Sequence, residues 1–316
     1  MKNNIFKKLV CFNIALCCVL SASACDAISG MLNKNSCTST TQPAEVDYLK
    51  QDKPLVQKAM ADGELSVLTL GNSFSVDAME YAYEIAQNLR LNVRLGNLYE
   101  PGCSIGQHLT YATKGATKFA YYLCEDGNWS KTDNYKSLDA VQSYNWDYIV
   151  LQHDPDQSGW KTTYSKLPEL ISLVKANCPS ATIVWHMTWA YQSDSTQTAF
   201  KQYNNDQMEM YRQIIDATKT EVLEKTEISM IIPSGTVIQN ARTSTLGDTL
   251  TRDGYHLSLD NGRFIAGLSY IAKLSGADIQ QLTYTPEGVS QTTKAIAIAS
   301  VEKALRTPFA VSKVSI

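Results

Sequence analysis

Past residue 60 the chain alternates short, mainly apolar runs with longer stretches in which apolar residues recur every three or four positions. Runs at 65–70, 92–98, 147–151, 182–186 and 228–232 have the length and composition of buried strands. Stretches at 76–89, 166–177, 204–218, 262–274 and 290–305 carry the helical period. In the first of these, Val76, Met79, Tyr83, Ala86 and Leu89 fall on one face, which suits a helix laid on a sheet. Strands alternating with helices predict a doubly wound, five-stranded parallel sheet with helices on both faces. Residues 106–143, rich in Tyr, Lys, Asn and Gly, are too long for a plain connection and form either a lid or extra structure. With no internal repeat and no second boundary, 61–316 is predicted to be one domain.

The N-terminus departs from this pattern. Lys2, Lys7 and Lys8 precede an apolar run at 9–20 and the small residues Ala22-Ser23-Ala24, so 1–24 is predicted to be an export signal peptide. The run is shorter than a membrane span requires. Cys25 follows directly, in a setting that resembles the lipobox of bacterial lipoproteins, so lipidation at Cys25 is expected, with an ordinary A-x-A cut as the alternative. Residues 25–60 then serve as a tether and N-terminal extension, Ser/Thr/Asn-rich up to about residue 44. This predicts export, with a lipid anchor at the cell envelope or otherwise release to the periplasm or medium, and membrane contact only through that anchor.

Composition narrows the chemistry. With 44% hydrophobic and 19% charged residues the chain can bury a core. A formal net charge of -3, with no Lys/Arg cluster beyond the N-terminus, argues against a nucleic-acid partner and for a neutral or small substrate. Of eight cysteines, Cys37, Cys103, Cys124 and Cys178 lie beyond the signal region, and none has C-x-x-C spacing. A zinc or redox centre has no support, and neither a cofactor nor a metal is expected. Cys103 and Cys124 are free to pair in an oxidising compartment, but three connectivities stay open.

Two motifs carry candidate chemistry. In 68–75, Leu-Thr-Leu-Gly-Asn-Ser-Phe-Ser, a strand runs through a glycine into a serine that opens a helix. Ligands bind at the carboxyl ends of strands in such sheets, and a helix N-terminus offers free N–H groups. Ser73 can therefore attack a carbonyl while its own N–H faces the oxyanion; the plainer reading is a turn with a serine N-cap. In 252–257, Arg-Asp-Gly-Tyr-His-Leu, Asp253 precedes His256 by three positions. A serine needs a base, usually histidine, and the Asp can fix its tautomer; the plainer reading is a surface loop with a helix-capping histidine.

Together, Gly71-Asn72-Ser73-Phe74-Ser75, Gly102 in Pro101-Gly102-Cys103-Ser104, and Asp253-x-x-His256 resemble the ordered blocks of the SGNH, or GDSL-like, hydrolases. The stretches 146–152, 186–191 and 252–258 look like a bacterial branch usually labelled a domain of unknown function. The resemblance spans about 66–274. It implies a three-layer α/β/α sandwich with a flavodoxin-like five-stranded sheet, and a serine esterase with Ser73 as nucleophile, His256 as base and Asp253 as acid. It implies an oxyanion N–H from Gly102 as well as from Ser73. Two blocks depart from the pattern. Asn72 stands where Asp is usual, and the Gly-x-Asn-Asp block is replaced by Val150-Leu151-Gln152-His153-Asp154, where Gln152 is taken to stand in for the oxyanion Asn.

The substrate class implied is an acyl, chiefly acetyl, ester of a carbohydrate. A lipase or thioesterase of the same fold is the enzymatic alternative, and a catalytically silent glycan-binding protein the non-enzymatic one. His153, Trp189 and Tyr191 are candidate substrate contacts. Trp185, Trp189, Tyr191 and Trp160 either line a sugar-binding face or belong to the core. A metal site from His153, Asp154, Asp156 and His186 is conceivable at the same rim, although His186 suits a core position better and His108 suits a helix cap.

Overall fold

The computed structural model describes Val46–Ile316. The signal peptide expected over 1–24, Cys25 and Cys37 lie outside those residues.

The described chain runs α1 (Tyr48–Ala59), β1 (Glu64–Gly71), α2 (Ser73–Met79), α3 (Ala82–Asn88), β2 (Asn92–Tyr99) and α4 (Ile105–Thr113). It continues with β3 (Phe119–Cys124), β4 (Trp129–Tyr135), α5 (Ser137–Gln142), β5 (Tyr148–Leu151), α6 (Leu167–Asn177) and β6 (Thr182–His186). It ends with α7 (Gln207–Ala217), β7 (Met230–Ile232), α8 (Ser234–Arg242), α9 (Asn261–Ser275) and α10 (Gln291–Arg306). One sheet of order β4-β3-β2-β1-β5-β6-β7 organises them. The neighbouring strands β2, β1, β5, β6 and β7 are all parallel, and these five stand in the flavodoxin-like order 2-1-3-4-5. β1 is the middle strand of the whole sheet and is buried along seven of its eight residues, as expected of a strand covered on both faces.

The sheet is larger than five strands. β3 pairs antiparallel with β2, and β4 with β3, extending the β2 edge by a hairpin. Residues 106–143 therefore supply α4, the hairpin and α5: extra structure on the sheet edge. The segment Ser130–Asn134 is exposed and polar, which blunts the outermost strand against edge-to-edge pairing and hides it from any apolar-run reading.

Right-handed crossovers place α2 and α3 on one face and the helices after β2, β5 and β6 on the other. α9 and α10 return to the α2 side, with α9 packed on α2 and α3. The helix predicted over 76–89 is two helices. Gly267 of α9 lies against the break, where an added Cβ would stand 3.5 Å from Ala78 O and 3.7 Å from Ala82 N. The break frees Tyr81 to donate to Leu259 O at 2.8 Å and Glu80 to pair with Arg263 at 3.0 Å, fastening α2 to the entry of α9. Part of the expected N-terminal extension is also folded structure: Asp52 of α1 forms a buried ion pair with Lys273 of α9, and Tyr48 packs edge-on against Phe309. Cys103, Cys124 and Cys178 are buried free thiols, so the permitted Cys103–Cys124 disulfide is not formed.

Candidate active site

β1 ends at Gly71, whose missing side chain admits Ser75: a Cβ there would stand 2.3 Å from Ser75 Oγ. Asn72, in extended conformation, is the N-cap of α2, accepting the Phe74 N–H on Oδ1 at 3.1 Å. The cap role is thus not Ser73's. Ser73 opens the helix, and among the described residues neither its Oγ nor its N–H has a protein hydrogen-bond partner. Across from it, Gly102 lies in the left-handed region at φ +57°, which glycine adopts without strain. Its N–H also has no protein partner, and open space surrounds the position of its absent Cβ. Two backbone donors are thus left free beside the β1–β2 sheet rim.

Asn72 holds these pieces together. Its Nδ2 donates to Cys103 O at 3.3 Å and His153 O at 3.0 Å, and its Oδ1 accepts from Phe74 N and from Gln152 Nε2 at 2.7 Å. The Ser73 turn, the Gly102 loop and the end of β5 therefore meet on one buried amide, which needs both donors and an acceptor.

The same network engages Gln152, the expected oxyanion amide. Its amide is buried, donating to Asn72 and accepting His186 Nδ1 on Oε1 at 2.9 Å. With its carbonyl and one of its two N–H groups committed, Gln152 braces Asn72 from behind and retains a single uncommitted N–H. His186 is held neutral as the Nδ1–H tautomer in this network; burial pushes its pKa down to about 3.

Asp253 and His256 come together on a small closed loop. Thr251 and Leu257 form an antiparallel bridge, Arg252 N donates to His256 O at 2.9 Å, and Gly254 turns the chain at φ +89°. Asp253 Oδ1 accepts the His256 N–H at 2.8 Å, and Oδ2 lies 2.7 Å from His256 Nδ1. Burial works to raise the Asp253 carboxyl, but the hydrogen bonds from the His256 side chain and backbone outweigh it, and its pKa lies below the ordinary value. Nε2 is left as the free face of the imidazole, whose ring stands 6.0 Å from the ring of Phe74, the residue after Ser73. No hydrogen bond joins His256 Nε2 to Ser73 Oγ here; such bonds commonly tighten only when substrate is bound.

A residue missed in the sequence makes this meeting possible. Asp77, four positions past Ser73 on α2, is fully buried. It accepts Arg252 Nη1 at 3.0 Å, Arg263 Nε at 2.8 Å and the Leu257 N–H at 2.8 Å. Both ends of the histidine loop are pinned to α2, the helix that Ser73 opens, by one carboxylate. An acidic residue among Val76, Ala78 and Met79, with an arginine on either side of the histidine motif, is the signal that could have revealed it.

A family model described as a domain of unknown function, DUF4886, matches residues 66–304. The chain belongs to this family. A crystal structure of a DUF4886 protein from Bacteroides uniformis ATCC 8492 is 35% identical, with a TM-score of 0.77 over 79% of this chain and 98% of that one. Weaker likenesses are a candidate SGNH hydrolase from Slackia heliotrinireducens (17% identity, TM-score 0.42, 67% of this chain and 99% of that one) and a candidate GDSL-like lipase from Parabacteroides merdae ATCC 43184 (12%, 0.45, 67% and 95%). Among curated proteins none matches.

The other candidate contacts have structural roles in this DUF4886 chain. Trp189 is fully buried, stacked on Phe74 with centroids 4.2 Å apart, and its Nε1 donates to Tyr255 O at 2.8 Å. It wedges the nucleophile helix against the histidine loop and offers no face to a sugar. Tyr191 is buried and bonds Asp156, and Trp185 is core. Trp160 is half-buried beside Tyr203. His153 is buried edge-on against Tyr164, with Nδ1 taking the Asp154 N–H at 2.8 Å and Nε2 2.9 Å from Thr163 Oγ1; burial lowers its pKa to about 3. His108 is not a cap but a buried ring stacked on Phe119, its pKa lowered by burial to about 4. Asp154, raised to about 6 by burial and by neighbouring Asp156, caps the turn that follows β5. Among the described residues no three His, Cys, Asp or Glu side chains form a metal-binding group.

Proposed function

We propose that this protein is an SGNH-type serine ester hydrolase. The observation that supports it best is the Asp253–His256 pair, bonded through both side chain and backbone, on a loop that Asp77 ties to the helix opened by Ser73. In this reading His256 Nε2 takes the Ser73 proton as Oγ attacks the acyl carbonyl, with Asp253 holding the Nδ1–H tautomer. The Ser73 and Gly102 N–H groups receive the oxyanion, and Gln152 acts through Asn72 by fixing where those two donors stand. His256 then returns its proton to the leaving alkoxide, and a water activated by the same nitrogen releases the acid and frees Ser73.

The substrate class we favour is an O-acylated, chiefly O-acetylated, carbohydrate, met outside the cytoplasm by a protein exported through 1–24 and anchored at Cys25. Labelling by a fluorophosphonate probe tests the chemistry. Wild-type protein should label, and Ser73→Ala and His256→Ala should not. Ester hydrolysis surviving intact in Ser73→Ala, or a folded wild-type protein that fails to label, refutes the assignment.

A further inference from the structure

A cavity of about 230 Å³ opens between α2 and the edge hairpin, lined by Val76, Met79, Glu80, Asn97, Tyr122 and Trp129. One of its walls is α2, the helix that Ser73 opens. Val76 is one helical turn from Ser73, about 5 Å along the axis, and Glu80 about 10 Å. On the sheet side Asn97 pairs with Tyr122, and Tyr122 packs edge-on against Tyr99, which precedes the Gly102 loop, at 6.2 Å. The cavity is below the roughly 300–1,000 Å³ of a drug-sized site and suits a single ring.

Its polar groups indicate what kind of ring. Asn97 is almost fully buried; one end of its amide meets Ser75 Oγ at 2.9 Å, and the other has no partner among the described residues. Among the described residues Trp129 has no aromatic neighbour stacked on it and its Nε1 has no hydrogen-bond partner. Glu80 binds Arg263 through Oε2, leaving Oε1. The hairpin is braced from outside, because Gly127 in its turn packs on Tyr83, where a Cβ would stand 3.0 Å from the ring. An alkyl chain here would seal the free Asn97 end without a partner, an outcome that buried polar groups penalise. A ring with hydroxyls on its edge and C–H groups on its face satisfies both Asn97 and the indole.

We propose that this cavity is the subsite for the sugar ring of the ester, with Trp129 as stacking platform and Asn97 and Glu80 as hydroxyl partners. This rests on the esterase reading of Ser73 for its place in turnover, but not for binding. Two measurements keep them apart. In the first, kcat/KM is compared for 4-nitrophenyl acetate and a monoacetylated methyl hexopyranoside. Trp129→Ala should lower the sugar ester at least tenfold more than the aryl ester, through KM, with Trp129→Phe recovering most of the loss and Tyr122→Ala on the same wall behaving like Trp129→Ala. Equal losses on both esters, or none, overturn the proposal. In the second, Ser73→Ala is titrated with the same acetylated glycoside and read by tryptophan fluorescence. Saturable quenching that vanishes when Trp129→Phe is added supports the subsite whatever the fate of the esterase reading. Quenching by octanoate and not by the glycoside refutes it.

Discussion

Replacing Asn72 with aspartate would restore the residue usual in the SGNH motif, yet the structure predicts a penalty. Asn72 Nδ2 serves two buried carbonyls, Cys103 O and His153 O, and Oδ1 serves two donors. A carboxylate keeps the acceptor side and loses both donated bonds. Each lost neutral bond is worth about 1 kcal/mol, and a buried acceptor left bare costs roughly 1–3 kcal/mol, so Asn72→Asp should destabilise by about 2–4 kcal/mol. The new acid is surrounded by carbonyl oxygens and buried, so its native pKa must rise above the unfolded value of about 3.9. The native state then binds the proton more tightly than the unfolded chain, and stability falls as pH climbs from about 4 through that raised pKa. Protonated, the acid can donate to one carbonyl and recover part of the loss. Urea unfolding of both proteins at pH 5 and pH 8 checks this, with the gap between midpoints wider at pH 8. A variant within about 0.5 kcal/mol of wild type at pH 8, or a gap that narrows with rising pH, would refute the reasoning.

Asp77→Asn leaves Arg252 and Arg263 facing a neutral amide, so it should cost about 3 kcal/mol of stability and slow probe labelling of Ser73 by more than about 100-fold, since a histidine loop about 1 Å out of place has an effect of that order; stability loss with unchanged labelling would show that Asp77 does not position the loop. Trp189→Phe keeps the stack on Phe74 but loses the bond to Tyr255 O and should cost about 1 kcal/mol, whereas Trp189→Ala should cost about 3–5 kcal/mol; denaturant midpoints check both. His108, His153 and His186 have native pKa values lowered to about 4, 3 and 3, so the unfolded chain binds more protons below about 6.5. Their contribution to stability is complete above that pH and is lost as pH falls toward 4–3, a decline that urea titrations between pH 7 and pH 4 should record and that a flat profile would contradict.

What could be read from the sequence was whatever lay within one element or one short motif. The five parallel strands showed as short, mainly apolar runs because burial on both faces favours apolar residues along the strand. The hairpin was missed because β4 is an exposed polar edge, and such a strand carries no apolar signature. Ser73, Gly102, Asp253 and His256 stood out as candidates because each belongs to a short motif whose residue types and spacing are local. The assignments that changed all depend on partners far along the chain. Gln152 was matched to an oxyanion Asn by its amide, but His186 and Asn72, 34 and 80 residues away, occupy both ends of that amide. Trp189 is an aromatic suited to stacking on sugar until Phe74 is known to cover it. Asp77 lay unmarked because its partners, Arg252 and Arg263, are 175 and 186 residues distant. Once Ser73 and His256 are taken to act together, however, some group must hold the two segments in register. A carboxylate one turn past the serine and two arginines flanking the histidine are the charges placed to do it, so the catalytic hypothesis itself singles out the residue that no local pattern could.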